Sequence, residues 1–307
     1  MNQKRIVSFL PSATEILYLL GAEEQLVGVT HECDFPLEAK SKPHVIKPSF
    51  DQTRMNSNEI DNQISSMMQS GSDIYLIDEP ELKKANPDLI IGQGLCDVCS
   101  PASKEIGKAV SVLNKKPEVV ILDPHNVEDI LSNILQVAKL VGKTEEAENL
   151  VRSIQNRIQY IKTSIPQSRP KVVCIEWLDP LFTAGHWVPQ MVEIAGGING
   201  ISTTGERSRR MGLEEIKKFE PDIIVLMPCG FDINRVLEEY PTLASNAKWK
   251  SMKAVLENAV FVVDANSFFS KPGPRIITGI EILAKIIHPK EFVNLKIPDN
   301  SFTKINS

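Results

Sequence analysis

The stretch Thr144–Ser164, TEEAENLVRSIQNRIQYIKTS, constrains the fold more than any other part of the chain. Ala147, Leu150, Val151, Ile154, Ile158, Ile161 and Ile165 recur every three or four residues, the spacing of one helical face. Thr144 is placed to cap the start, Glu145 and Glu146 suit the first turn, and Pro166 ends it. Glu148 and Arg152 add a supportive pair one turn apart. At about 1.5 Å per residue the helix spans about 30 Å, roughly one small domain. Short apolar runs alternate with helical patterns on both sides of it. The reading is therefore an α/β protein: two Rossmann-like lobes joined by one rigid rod, with a ligand cleft between the lobes. The domain reading is 1–143 for the N-terminal lobe, 144–166 for the connecting helix, 167–290 for the C-terminal lobe and 291–307 for a tail.

Before the rod, strands are expected at Arg5–Phe9, Leu26–Thr30, His44–Ile46, Ile74–Ile77, Leu89–Ile91 and Val119–Leu122, with helices between them. Ser12 with Glu15 three residues on has the pattern of a capping box. Helices are expected at Asn58–Gln69, Pro80–Ala85, Ser103–Leu113 and Val127–Val141. After the rod, strands at Lys171–Ile175, Asp222–Met227 and Val260–Val263 alternate with helices at Val188–Ala195, Leu213–Phe219, Ile233–Tyr240 and Arg275–Ile287. Residues beyond Pro289 read as a loosely docked tail. Such alternation favours mainly parallel sheets. A faint repeat supports two lobes: Asn86-Pro87-Asp88-Leu89-Ile90-Ile91 and Glu220-Pro221-Asp222-Ile223-Ile224-Val225 share a helix end, a Pro-Asp step and an apolar strand.

Composition narrows the function. The net charge of −5 comes without a basic block, which excludes nucleic acid as the expected partner. No apolar run approaches the ~20 residues of a membrane span. No apolar signal segment precedes the first strand, so the sequence as it stands reads as cytoplasmic, and as extracytoplasmic if a signal was removed. Five cysteines, an odd number without small-scaffold spacing, favour free thiols or metal ligands over a disulfide framework. Walker, GxGxxG, GxSxG and HExxH patterns are absent.

In open α/β sheets ligands bind outside the carboxyl ends of the strands. The loops expected there carry His31, Glu32, Cys33, Gln93, Cys96 and Cys99 in the first lobe, and Glu176, Trp177, His186, Trp187, Cys229, Phe268 and Phe269 in the second. His31-x-Cys33 with Cys96-x-x-Cys99 makes one His and three Cys, a tetrahedral zinc count; the competing reading packs Cys33 and Cys96 as small apolar residues. Trp177 and Trp187 read equally well as core. The loop of Arg207, Arg209 and Arg210 suits solvent or an anionic ligand group.

The stretches Arg5-Ile6-Val7-Ser8 with Pro11-Ser12-Ala13-Thr14-Glu15, and Leu26-Val27-Gly28-Val29-Thr30 through Asp34-Phe35-Pro36, belong to a pattern continued by Pro87-Asp88-Leu89-Ile90-Ile91. Phe182-Thr183-Ala184-Gly185, Glu193-Ile194-Ala195-Gly196-Gly197 and Pro274-Arg275-Ile276 complete it. With them the chain resembles the helical-backbone (class III) substrate-binding proteins of ABC importers, over about Arg5 to Pro289, and within them the cobalamin-binding branch. The resemblance implies a non-enzymatic monomer that binds a small metal-containing ligand and partners an ABC permease. It also implies one acidic docking residue per lobe: Glu214 in the second, and in the first Glu79 or Glu81, because the matching position falls on Pro80. Among the cobalamin-contacting aromatics, Phe182 and Tyr75 match, while two tryptophan positions fall on Gln93 and Ser208. The expected ligand is a corrinoid, with Tyr75, Trp177, Phe182, Trp187, Phe268 and Phe269 as faces, Glu32, Gln93 and Arg210 as polar anchors, and His31 or His186 as axial nitrogen. Another metal chelate such as a siderophore or haem, or a bare metal ion, is the alternative. A zinc enzyme on the same fold, with Glu32 as base, is the third reading.

Overall fold

The computed structural model describes residues 3–94 and 103–305; the Cys96–Cys99 loop lies outside them. The chain clusters into two compact units, one of 1–55, 62–124 and 128–152, the other of 56–61, 125–127 and 153–307.

The first unit begins with strand β1 (Ile6–Ser8), helix α1 (Pro11–Leu19), β2 (Leu26–Thr30) and β3 (His44–Pro48). Helix α2 (Ser57–Ser70), β4 (Tyr75–Ile77), α3 (Glu79–Ala85) and β5 (Leu89–Gln93) follow, then α4 (Ser103–Ser111), β6 (Glu118–Leu122) and α5 (Val127–Val141). The sheet runs β4-β3-β2-β1-β5-β6 and is parallel except at β3–β4. Ile6, Val7, Leu89, Ile90 and Ile91 are fully buried, as central strands covered on both faces require. Strand order reverses at β1, whose neighbours are β2 and β5.

Helix α6 (Thr144–Ser164) carries the chain from one unit into the other. Its stripe of Ala147, Val151, Ile154, Ile158 and Ile161 is buried, while Glu148 and Arg152 are exposed. Amphipathic burial therefore holds the helix, as its period predicted. Its bounds are those expected, but Thr144 is not its cap: the Lys143 carbonyl accepts the first helical bond, from the Ala147 amide at 3.1 Å, so Thr144 is already inside the helix.

The second unit contains β7 (Lys171–Leu178), β8 (Leu181–Thr183), α7 (Val188–Ile194), β9 (Ile198–Asn199), α8 (Leu213–Phe219) and β10 (Ile223–Leu226). It continues with α9 (Ile233–Ser245), α10 (Ala247–Lys250), α11 (Lys253–Leu256), β11 (Val260–Val263), α12 (Ala265–Phe268), α13 (Ile276–Ile287) and β12 (Phe302–Lys304). Its sheet runs β12-β11-β10-β7-β8, with β9 also beside β7. β7, β10 and β11 are parallel, and β8 and β12 are antiparallel edges.

Two local expectations fail for identifiable reasons. No capping box forms at Ser12: Leu10 is the cap residue without a side-chain bond, and Pro11 takes the first helical position, where a missing N–H costs nothing. The Ser12 hydroxyl is buried without a hydrogen-bond partner among the described residues. A capping box forms instead at α2, where the Asn56 side chain accepts from the Glu59 amide at 3.0 Å and Glu59 accepts from the Asn56 amide at 2.9 Å. The tail is not loose either. Phe292 is fully buried, and β12 pairs with β11 through Phe302, Thr303 and Lys304, covering the edge of β11.

Candidate functional site

In the second unit, β7 has β8 and β9 on one side and β10 on the other, so the strand order reverses beside its carboxyl end. There Glu176, Trp177 and Leu178 end β7, with Trp177 and Leu178 still paired to β8. The Glu176 carbonyl accepts the Cys229 amide at 3.0 Å, and its carboxylate accepts the Gly185 amide at 3.1 Å. Gly185 cannot carry a side chain: a Cβ would lie 2.3 Å from the Ser208 nitrogen and 2.8 Å from the Glu206 carbonyl. The chain then turns through His186 at φ 54°, a left-handed conformation rare outside glycine. Two backbone bonds hold it there, His186 N–H to Glu206 at 2.6 Å and Gly205 N–H to His186 at 2.9 Å.

Trp177 and Phe182 are laddered partners on β7 and β8, and both are half-buried. The Trp177 ring stands 5.2 Å from Phe231 and its indole N–H donates to the Ser57 carbonyl at 3.1 Å. Arg210 lies 5.7 Å over Phe182, pairs with Asp61 at 2.7 Å and is mostly exposed. Phe268 is half-buried beneath Arg275, at 5.9 Å. Trp187 and Phe269 correct the expectation of ligand faces: both are core, at 5% and 2% exposure, and the Trp187 indole donates to the Phe269 carbonyl at 3.0 Å. A buried indole N–H needs such a partner, which fixes the ring inside. His186 stacks on Trp187 at 5.6 Å.

In the first unit His31 and Glu32 follow β2, Tyr75 starts β4, and Gln93 ends β5 at 4% exposure. Tyr75 belongs to the core cluster with Val45 and Ile46, leaving 6% of it exposed, and its ring lies 5.9 Å from His31. Among the described residues neither His31 ring nitrogen has a hydrogen-bond partner, with Glu32 Oε1 3.7 Å from Nε2. Burial pushes the His31 pKa below its ordinary value against a weaker pull from the Ile46 backbone, which keeps the imidazole neutral at pH 7.

Cys33 is buried, its sulfur 3.1 Å from the Thr14 hydroxyl and 3.5 Å from that of Thr30. Among the described residues no three His, Cys, Asp or Glu are placed to hold a metal ion. The other half of the proposed zinc set, Cys96 and Cys99, lies outside them. Burial pushes the mid-strand Cys174 thiol up, so it is inert. The three acidic docking candidates are surface residues with cationic partners: Glu79 with Lys83 at 3.0 Å, Glu81 with Lys84 at 3.5 Å and Glu214 with Lys248 at 2.7 Å.

Sequence reasoning missed Ser57, Asp61, Phe231 and Glu239, which the structure joins to Trp177 and Arg210. The Asn56-x-x-Glu59 spacing is the signal that could have found the helix start, expected instead at Asn58; nothing in the sequence marked its contacts.

Comparison with known proteins supplies the context. The periplasmic binding protein family matches residues 6–267. An uncharacterized ABC transporter substrate-binding lipoprotein of Bacillus subtilis, YvrC, is 27% identical over 297 residues, covering 94% of this chain and 81% of its own. The vitamin B12-binding protein of Yersinia pestis is 21% identical over 255 residues, covering 80% and 79%. A periplasmic heme binding protein from Pseudomonas aeruginosa shares the fold, with a TM-score of 0.74 at 17% identity, covering 99% of this chain and 98% of its own. The chain belongs to the periplasmic binding protein family, as a substrate-binding component of the ABC-importer type and not an enzyme.

Proposed function

We propose that the chain binds a corrinoid and delivers it to an ABC permease on the extracytoplasmic side of the membrane. The observation that carries this is the aromatic shelf at the carboxyl end of β7: half-buried Trp177 and Phe182 side by side, with Arg210 over the second ring. A corrinoid is a broad, flat, largely apolar ring with carboxamide arms and an anionic phosphate. Such a ligand needs aromatic faces and a few polar anchors. The neutral His31 imidazole is in the form that ligates a metal. The B12-binding relative and the lipoprotein name of another relative support the ligand class and the location.

Haem is the second reading. Arg210 is exposed beside the shelf strand β8 and Arg207 is exposed three residues before it, and guanidinium groups suit carboxylates better than carboxamides. The heme-binding structural neighbour supports it equally. The zinc-enzyme alternative is set aside because the family consists of binding proteins. The permease is proposed to meet Glu214 on α8 and Glu79 or Glu81 on α3, acidic residues in the first turns of two matching helices.

Calorimetric titration with cyanocobalamin and with hemin tests the reading. Binding of one is expected, and Trp177→Ala or Phe182→Ala should each weaken it by about 1–3 kcal/mol. Failure of the wild-type protein to bind either ligand ends the tetrapyrrole reading. Unchanged binding in both variants moves the site elsewhere.

A further inference from the structure

The first turn of α2 is tied to the aromatic shelf at two points. Its Ser57 amide donates to Glu239 Oε2 at 2.9 Å, the Ser57 hydroxyl donates to the same oxygen, and the Ser57 carbonyl accepts the Trp177 indole N–H at 3.1 Å. Glu239 is held in turn by Arg235, whose Nε lies 3.0 Å from Oε1. The Arg235 guanidinium sits 5.0 Å over Phe231, and Phe231 packs 5.2 Å from Trp177. The five residues close a ring that begins and ends at Ser57. One turn on, Asp61 takes the Arg210 guanidinium at 2.7 Å, and Arg210 covers Phe182. The turn is stiff on its own account, because the Asn56–Glu59 capping box fixes its start.

These contacts have a recognisable chemistry. The shelf offers an N–H donor, a carboxylate acceptor and a cation over aromatic rings. The α2 turn answers with a peptide carbonyl, an N–H with a hydroxyl, and a carboxylate. Those are the groups that a flat ligand with carboxamide arms and an anionic substituent would present. We propose that the first turn of α2 is a built-in competitor for the second unit's aromatic shelf, so that a ligand bearing carboxamide and anionic groups binds by replacing Ser57 at Trp177 and Asp61 at Arg210. The inference rests on the reading that this shelf receives the ligand. An intramolecular competitor lowers apparent affinity by the fraction of molecules in which it occupies the site. Weakening the turn's attachment therefore tightens ligand binding.

The test uses the full chain with Ser57→Ala and Asp61→Ala combined, and separately with Glu239→Gln, which leaves α2 untouched. Acrylamide quenching of tryptophan fluorescence reads the attachment without any ligand. Trp187 and Trp249 are 5% and 0% exposed, so added quenching reports Trp177, and Trp177→Phe confirms the assignment by abolishing the increase. Quenching should rise about twofold or more in both variants, and cyanocobalamin or hemin affinity should rise roughly fivefold to fiftyfold. Unchanged quenching overturns the attachment. Increased quenching with unchanged or weaker affinity makes the turn a brace and overturns the competition. If wild-type protein and both variants bind neither ligand, the proposed ligand class fails, while the quenching result still decides whether the turn covers Trp177.

Discussion

Residues 82–91 and 216–225 tie the same knot twice. Leu82 and Ile216 are each fully buried on a seven-residue helix. Each helix ends on a left-handed residue, Asn86 at φ 39° and Glu220 at φ 53°, followed by a buried proline and an aspartate. Asp88 exchanges bonds with Arg5, its amide donating to the Arg5 carbonyl at 2.8 Å and its carboxylate accepting the Arg5 amide at 3.1 Å. Asp222 does the same with Lys171, at 2.9 and 2.8 Å. A lysine completes each knot, Lys115 at 2.6 Å and Lys253 at 2.5 Å. The difference lies beyond the strands. β5 ends at Gln93, fully inside, whereas β10 gives way to Met227-Pro228-Cys229, whose cysteine amide returns to the Glu176 carbonyl. The repeated part is scaffold, and the part that differs is where the proposed ligand site lies.

The comparison can be broken at its cores first. Phe9→Ala in the first unit and Trp249→Ala in the second each remove a fully buried ring, and Trp249 also loses its bond to the Tyr240 hydroxyl at 3.1 Å. Each should cost about 3–5 kcal/mol. Scanning calorimetry should show each substitution lowering the transition of its own unit; an unmoved midpoint contradicts the burial of that ring.

The aspartates come next. Asp88→Ala and Asp222→Ala should each lose about 1–2 kcal/mol in urea denaturation, since each strands one backbone N–H and one lysine, and solvent screens the ion pair. A difference of several kcal/mol between the two would show that the knots are alike in geometry only. Their pH dependence follows from the same contacts. The Lys115 bond, helped by the Arg5 amide, holds the Asp88 carboxyl below its ordinary pKa. At Asp222 burial pushes upward, but Lys253 and the Lys171 amide together outweigh it and the net shift is down. A carboxylate lowered in the folded state stabilises fully above its unfolded pKa of about 4, and that stabilisation is lost as pH falls through the folded value. Denaturation midpoints should therefore fall less steeply between about pH 5 and 2 in both alanine variants than in the parent chain.

The smallest effect on stability is expected at the proposed docking acids. Glu79→Gln, Glu81→Gln and Glu214→Gln should leave the denaturation midpoint essentially unchanged, because their lysine pairs are exposed. Their readout is ligand uptake with the cognate permease. Loss with Glu214→Gln alone would show that only one helix of the matching pair docks.

The sequence by itself determined the period-bearing elements. The stripe of α6 lies buried where its spacing put it, strands β1 to β7, β10 and β11 fall on the apolar runs, and the Pro-Asp repeat marks the two knots. These follow from local physics: a helical face, a buried strand and a proline each act over a few neighbouring residues. Tertiary structure decided the rest. Pro11 outranked Ser12 at the start of α1, and burial took Trp187 and Phe269 into the core although their loop position resembled that of Trp177 and Phe268. Residues 302–304 became a strand only because β11 offered an edge about forty residues upstream. Ser57 and Asp61 reached Trp177 and Arg210 across 120 and 149 residues of chain. Period and composition carry no record of contacts at such separations, because the partners are set by how whole sheets and helices pack.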